Sequence, residues 1–220
     1  MLPFLAPILG PVMSAISTAL ASLTKVLPVI GKQVAAFIAK IPAPVLEKCF
    51  SGMLDLMRVM VKNIFNFDSP CDELGYKAKI SDKKSEDFDS TTEYINHLNK
   101  DIKFDQAKFD SLSNQEKMEC ALHGMHITHK AIEDKFGMLV SPLFFALNTM
   151  LKIQPDVVVR SLTAIKESGT TTEDFVNYFK GTLSQDKANA VDAVVKKIFN
   201  TEDNSKSIID MMRETREMGL

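Results

Sequence analysis

No charged residue precedes Lys25, and the first 66 residues hold few charges of any kind. Lys25, Lys32, Lys40, Lys48, Arg58 and Lys62 stand against Glu47 and Asp55, a balance of +4 that leaves −6 for residues 67–220 of a chain whose net charge is −2. Six of the nine prolines fall within residues 1–44, so the apolar part is also the interrupted part. Proline removes a backbone donor and crowds the carbonyl four residues earlier, so it ends or opens helices rather than continuing them. A long apolar stretch cut by prolines folds as short helices, and those helices must bury their apolar surface somewhere.

The segments follow from the punctuation. Val12, Ile16, Ala19, Leu20, Leu23 and Leu27 recur at helical spacing over about Val12–Leu27. Pro28 and Gly31 interrupt, and Gln33–Ile41 repeats the pattern with Val34, Phe37 and Ile38. Pro42-Ala43-Pro44 breaks again, and Pro44 suits a first helical position. The longer helix expected over Val45–Phe65 carries Phe50, Met53, Met57 and Met60 on a wide apolar surface. Residues 67–89 change character: Asp68-Ser69-Pro70, Gly75 and a mixed-charge run predict an exposed charged linker.

Residues 90–220 read as an acidic multi-helix domain with legible ends. Ser90-Thr91-Thr92-Glu93 and Ser113-Asn114-Gln115-Glu116 are capping boxes, the first opening a helix to about Lys100 and the second one to Phe136. A short helix or turn is expected over Gln106–Leu112 between them. Gly137, Gly169 and Gly181 stand where helices stop, and Ser141-Pro142 starts another. Ser184–Phe199 and Ser207–Met218 complete the series. Alternating runs joined by two-residue glycine turns are missing, so the fold class is all-α.

The same sequence narrows function. Its net charge gives no general attraction to nucleic acid, and the lysines near residue 80 are surrounded by acids, so counterion release has no surface to act on. Three scattered cysteines, Cys49, Cys71 and Cys120, do not make a disulfide framework and favour a reducing compartment. Residues 1–24 have the apolar length of a signal but no basic n-region, so no cleaved signal peptide is expected. Pro3, Pro7 and Pro11 shorten the first apolar helix below the ~20 residues a membrane span requires. No Gly-x-Ser-x-Gly, Cys-x-x-Cys, His-Glu-x-x-His or phosphate-loop pattern occurs, so no catalytic residue and no cofactor is assigned.

The most suggestive cluster is Cys120-x-x-His123-x-x-His126-x-x-His129. A helical step of three turns about 300°, so Cys120 and His129 point nearly opposite ways and cannot share an ion. His129 lies in the stripe of Met118, Leu122, Met125, Ile132 and Phe136 and reads as a core histidine. Glu119, His123, His126 and Lys130 share another face, read as solvated; Glu119, His123 and His126 are weak metal candidates, short of a complete zinc set.

What remains is association. The composition of residues 1–66 points to burial against a partner rather than within the chain. Leu5, Ile8, Val12, Ile16, Leu20, Leu23, Leu27, Val34, Phe37, Ile38, Phe50, Met53, Met57 and Met60 are the expected contact residues. The expected protein is a non-enzymatic subunit, cytoplasmic or peripheral to a membrane, docking by those helices onto itself, other subunits or an anionic membrane. Secretion-apparatus and virus-particle components offer an analogy for this design. The alternative is a membrane-active protein that inserts residues 2–46 as a hairpin. A helical metal-binding enzyme comes third.

Overall fold

The computed structural model describes residues 12–199 and 207–217. Among these the chain is all-α, with twelve α-helices and no strand. In order they are α1 (Val12–Val26), α2 (Pro28–Ile38), α3 (Ala43–Phe65), α4 (Cys71–Ile80), α5 (Thr91–Lys100), α6 (Gln106–Asp110), α7 (Asn114–Phe136), α8 (Pro142–Met150), α9 (Pro155–Ser168), α10 (Thr172–Lys180), α11 (Gln185–Phe199) and α12 (Ile208–Glu217). A 3-10 turn, Ser85–Asp87, lies between α4 and α5.

The helix ends follow from side chains that satisfy otherwise orphaned backbone groups. The Ser90 hydroxyl accepts from the Glu93 amide at the start of α5, and Ser113 and Glu116 close a reciprocal box at the start of α7. Thr171 and Asp174 do the same for α10. Prolines sit in the first turns of α2, α3, α8 and α9, where a missing amide costs nothing. Gly137, Gly169 and Gly181 end α7, α9 and α10 at φ of +58°, +70° and +72°, a left-handed conformation that a β-carbon would oppose.

The organisation is built around α7. It packs against α1, α2 and α3 on one flank and α4 and α5 on the other, while α3 continues the packing onto α8 and α9. The outer helices follow, with α8 on α10, α9 on α11 and α10 on α12. One contiguous apolar core runs from Ile16 to Met211. A second, smaller cluster joins Leu74, Ala78, Tyr94, Ile95 and Leu98 to Ile127 and Ala131 of α7.

Two expectations are corrected here. The apolar helices of residues 12–66 do not stand apart from the acidic helices as an association region. Ile16, Leu23, Val34, Phe37, Ile38, Phe50, Met53, Met57 and Met60 are buried in the shared core, and Val12, Leu20 and Leu27 pack half-buried against it. Leu5 and Ile8 lie outside the described residues. The physical reason is that α7 and α8 offer a matching apolar surface: Met118, Leu122, Met125, Phe144, Phe145 and Leu147 are all fully or almost fully buried in the same cluster.

The second correction concerns residues 67–89, which do not form an exposed linker throughout. They contain α4, the helix most intimately paired with α7. The pairing is glycine against glycine. A β-carbon at Gly75 would lie 1.9 Å from the Cys120 carbonyl oxygen, and one at Gly124 would lie 1.7 Å from that of Cys71. Both backbones therefore approach as only glycine permits. Lys77 is buried with its ammonium 2.6 Å from Glu73 and 3.3 Å from the Asn99 side-chain oxygen.

Candidate functional site

Between its α3-facing and α4-facing sides, α7 presents a third stripe: His123, His126, Lys130, Glu133 and Asp134. The chain leaves this stripe incompletely covered. Three depressions open over it and meet at Lys130. The first, about 760 Å³, lies between α2, α7, the loop before α8 and the start of α10. The second, about 700 Å³, lies between the α1–α2 turn, residues 84–91 and α7. The third is a shallower dip between Asp89-Ser90 and Gly137–Leu139. Gln33 of α2 and His126 separate the first two.

The first depression has a fixed floor. His129 Nε2 donates to the Val140 carbonyl oxygen at 2.8 Å, and the imidazole meets Phe37 edge-on with ring centroids 4.9 Å apart. Glu133 is buried beside it; its Oε1 accepts from the Val140 amide at 3.1 Å and its Oε2 from the Lys130 ammonium at 2.9 Å. Burial holds His129 below the usual histidine range, although Glu133 and the Val140 carbonyl pull the other way. The reading of His129 as a core histidine agrees with this packing, its partner being a loop carbonyl rather than a neighbouring helix.

The second depression is different. His123 is 6% exposed and Tyr94 2% exposed, yet both line it and neither has a hydrogen-bond partner among the described residues. Burial, with His126 and Lys84 nearby, lowers the His123 pKa to about 4. Burial, then His129 and Lys130, brings His126 to about 4 as well. Desolvation, with Glu86 and Asp87 close, pushes the Tyr94 hydroxyl up to about 12. All of these groups are neutral at pH 7. Asp134 accepts a hydrogen bond from the Thr91 hydroxyl, tying the start of α5 to α7 at the edge of the depression.

The solvated face expected for His123 and His126 is therefore corrected for His123, which is buried, while His126 is half-buried between the first two depressions. Glu119 does not join them. Its carboxylate accepts from Gln115 at 3.1 Å, outside the three depressions, and among the described residues no group of three His, Cys, Asp or Glu side chains is placed to share an ion. The three cysteines are buried and their thiols are pushed up to about 12 by desolvation, so the free thiols are not activated nucleophiles at neutral pH. Tyr94 and the 84–89 wall escaped sequence reasoning because they join α7 only through the tertiary fold. The one local hint was the capping box at Ser90, which fixes the phase of α5.

Apolar side chains stand unburied on the rims. Val26 and Val29 are each 70% exposed at the α1–α2 turn beside the second depression, and Leu139 is 81% exposed beside the first and third. Among the described residues no single helix is long and apolar enough to cross a membrane; α2 and α3 together have the composition but meet at 114°. Comparison with protein-family models, curated proteins and solved structures finds no match for the chain.

Proposed function

We propose that this is a non-enzymatic helical protein that works by association with another protein chain, cytoplasmic or at the periphery of a membrane. The contact surface is the apolar rim of the groove over α7 rather than the inward faces of α1–α3. The observation that carries the reading is the exposure of Val26 and Val29 in the lining of the second depression and of Leu139 in that of the first and third, depressions that share Lys130. Exposed apolar side chains around a concave surface are commonly interaction sites, whereas scattered single ones need no explanation. Native mass spectrometry of the protein taken from its source tests this. A defined partner should be present and should be lost in the Val29→Asp, Leu139→Asp double variant with its thermal midpoint unchanged. A complex unaffected by that variant, or no complex, overturns the reading.

One observation favours a second reading, membrane insertion. α1 and α2 form an apolar helical hairpin with two valines at its tip and Lys25, Lys32 and Lys40 beside it, a balance that anionic lipid would attract. Dye release from anionic vesicles separates the two. Release that depends on Val26 and Val29 supports insertion, and intact vesicles leave association.

A further inference from the structure

We propose that the depression between the α1–α2 turn, residues 84–91 and α7 is a binding site for a small uncharged amphipathic molecule. Such a ligand has an apolar body and one hydroxyl, carbonyl or amide head. The inference goes beyond the association reading and does not rest on it.

The argument begins with two polar groups that the chain leaves unused. A polar atom that ends a buried side chain and makes no bond within the protein is left for water or a ligand to satisfy. Tyr94 and His123 are both more than nine-tenths buried as residues, line one cavity and make no hydrogen bond to another described residue, and their polar atoms are the part that stays accessible there. They come from different helices, α5 and α7, yet both approach the same short segment: Tyr94 lies near Glu86 and Asp87, and His123 near Lys84. Two polar groups without protein partners therefore face the same depression. A phenol and a neutral imidazole each donate and accept, which is what an alcohol, carbonyl or amide needs.

The rest of the lining sets the body and the charge of the ligand. Leu27, Ile30, Phe88 and Ile127 supply apolar wall. The volume of about 700 Å³ is in the range that small-molecule sites occupy. Charges are confined to the mouth and are of both signs. Two of them are already engaged, Lys130 by Glu133 and Asp134 by Thr91. An ion entering the depression would lose hydration and meet no buried counter-charge, whereas a neutral head exchanges water for Tyr94 and His123 at little cost.

Saturation-transfer NMR on the full chain at pH 7.5 tests the site with four probes that share one tail: octan-1-ol, octanamide, octanoate and octylamine. The alcohol and the amide should bind, and the two ions should bind about tenfold or more weakly, because the site recognises a neutral head. Tyr94→Phe and His123→Phe, each confirmed folded by its thermal midpoint, should each reduce alcohol binding about tenfold, while Ile209→Ser on the exposed face of α12 should not. Equal binding of all four probes overturns the proposal, since that is apolar partition without polar recognition. Binding that survives both pocket variants overturns it as well. Binding by none of the probes means that water alone satisfies Tyr94 and His123, and the site is then not a ligand site.

Discussion

α7 meets its two main neighbours in opposite ways. Towards α3 the interface is filled by large side chains, Met53, Met57 and Met60 on one helix and Met118, Leu122 and Met125 on the other, all in one core. Towards α4 the backbones themselves touch at Gly75 and Gly124, and α4 still carries Asp72, Glu73, Lys77 and Lys79. Both partner helices are well buried, although one is among the most apolar segments of the chain and the other among the more charged. Hydropathy reports burial where side chains fill the gap between helices. It fails where glycine removes the gap, because the surrounding polar side chains can then reach out past the contact.

The largest test of this contrast is removal of the apolar side. Deleting residues 1–66 should leave an insoluble or molten remainder, because it strips α1, α2 and α3 from a core they share with α7, α8 and α9. Burying a single large apolar side chain contributes about 1.5–3 kcal/mol, and ten residues of α3 alone are buried. Net stabilities of whole domains are only about 5–15 kcal/mol. A soluble fragment with a sharp thermal transition would show instead that α4–α12 fold alone and that the compositional boundary at Phe67 is a domain boundary after all.

The α4 side is probed by single atoms. Gly124→Ala should destabilise by about 4 kcal/mol or more, since its β-carbon would lie 1.7 Å from a backbone oxygen that cannot yield without moving a helix. Gly75→Ala should behave alike. Met57→Ala, on the α3 side, should cost about 2–5 kcal/mol as an ordinary large-to-small core change. Urea titrations of the three variants decide the matter. If the glycine variants unfold at the wild-type midpoint, the close α4–α7 approach is wrong.

How much of this was legible depended on which atoms made each contact. Caps and stops are local chemistry, so Ser90, Ser113, Gly137, Gly169 and Gly181 could be placed from the sequence and stand there in the fold. The placement of His129 was legible too, because its apolar neighbours on α7 are three or four residues away. The helix α4 was hidden by its charges, although Gly75 and Gly124 were in plain sight, because a glycine contact has no pattern within either segment. The inward turn of α1–α3 was misjudged for a related reason. The apolar surface of one part was weighed without that of α7 and α8, which exists as a surface only once the chain has folded. Tyr94 and His123 share a cavity through the same kind of distant pairing.

The stripe between the two flanks should make stability sensitive to acid. His123 and His126 are held near pKa 4, below the ordinary 6.5, so the unfolded chain binds protons that the folded one refuses. Their contribution is whole above about pH 6.5 and is lost as the pH falls towards about 4. A shift of that size corresponds to on the order of 3 kcal/mol for a fully buried histidine, and less for the half-buried His126. Asp72 opposes this, because burial raises it to about 6 and its protonated form favours the folded state over part of the same window. Net destabilisation between pH 7.5 and 5 is expected from urea midpoints. His123→Phe should flatten that dependence, and an unchanged slope would mean that His123 is hydrated in solution.

The smallest expected effect compares His123 and His129 directly at pH 7.5. His123 is buried and His129 half-buried on α7, but only His129 has a partner, the Val140 carbonyl, with Glu133 held in the same network. Replacing His129 by Phe leaves that carbonyl without its donor and should cost about 1–3 kcal/mol, the penalty for an orphaned buried group. Replacing His123 by Phe removes a polar group that had no partner and keeps a ring of similar size. Its expected cost is within about 0.5 kcal/mol of zero, with stabilisation as the favoured sign. The pair therefore separates two ways of being a buried histidine on one helix. If His123→Phe proved as costly as His129→Phe, His123 must be making a hydrogen bond in solution, most simply to water, and the second depression would be a hydrated one whose ligand must first displace that water.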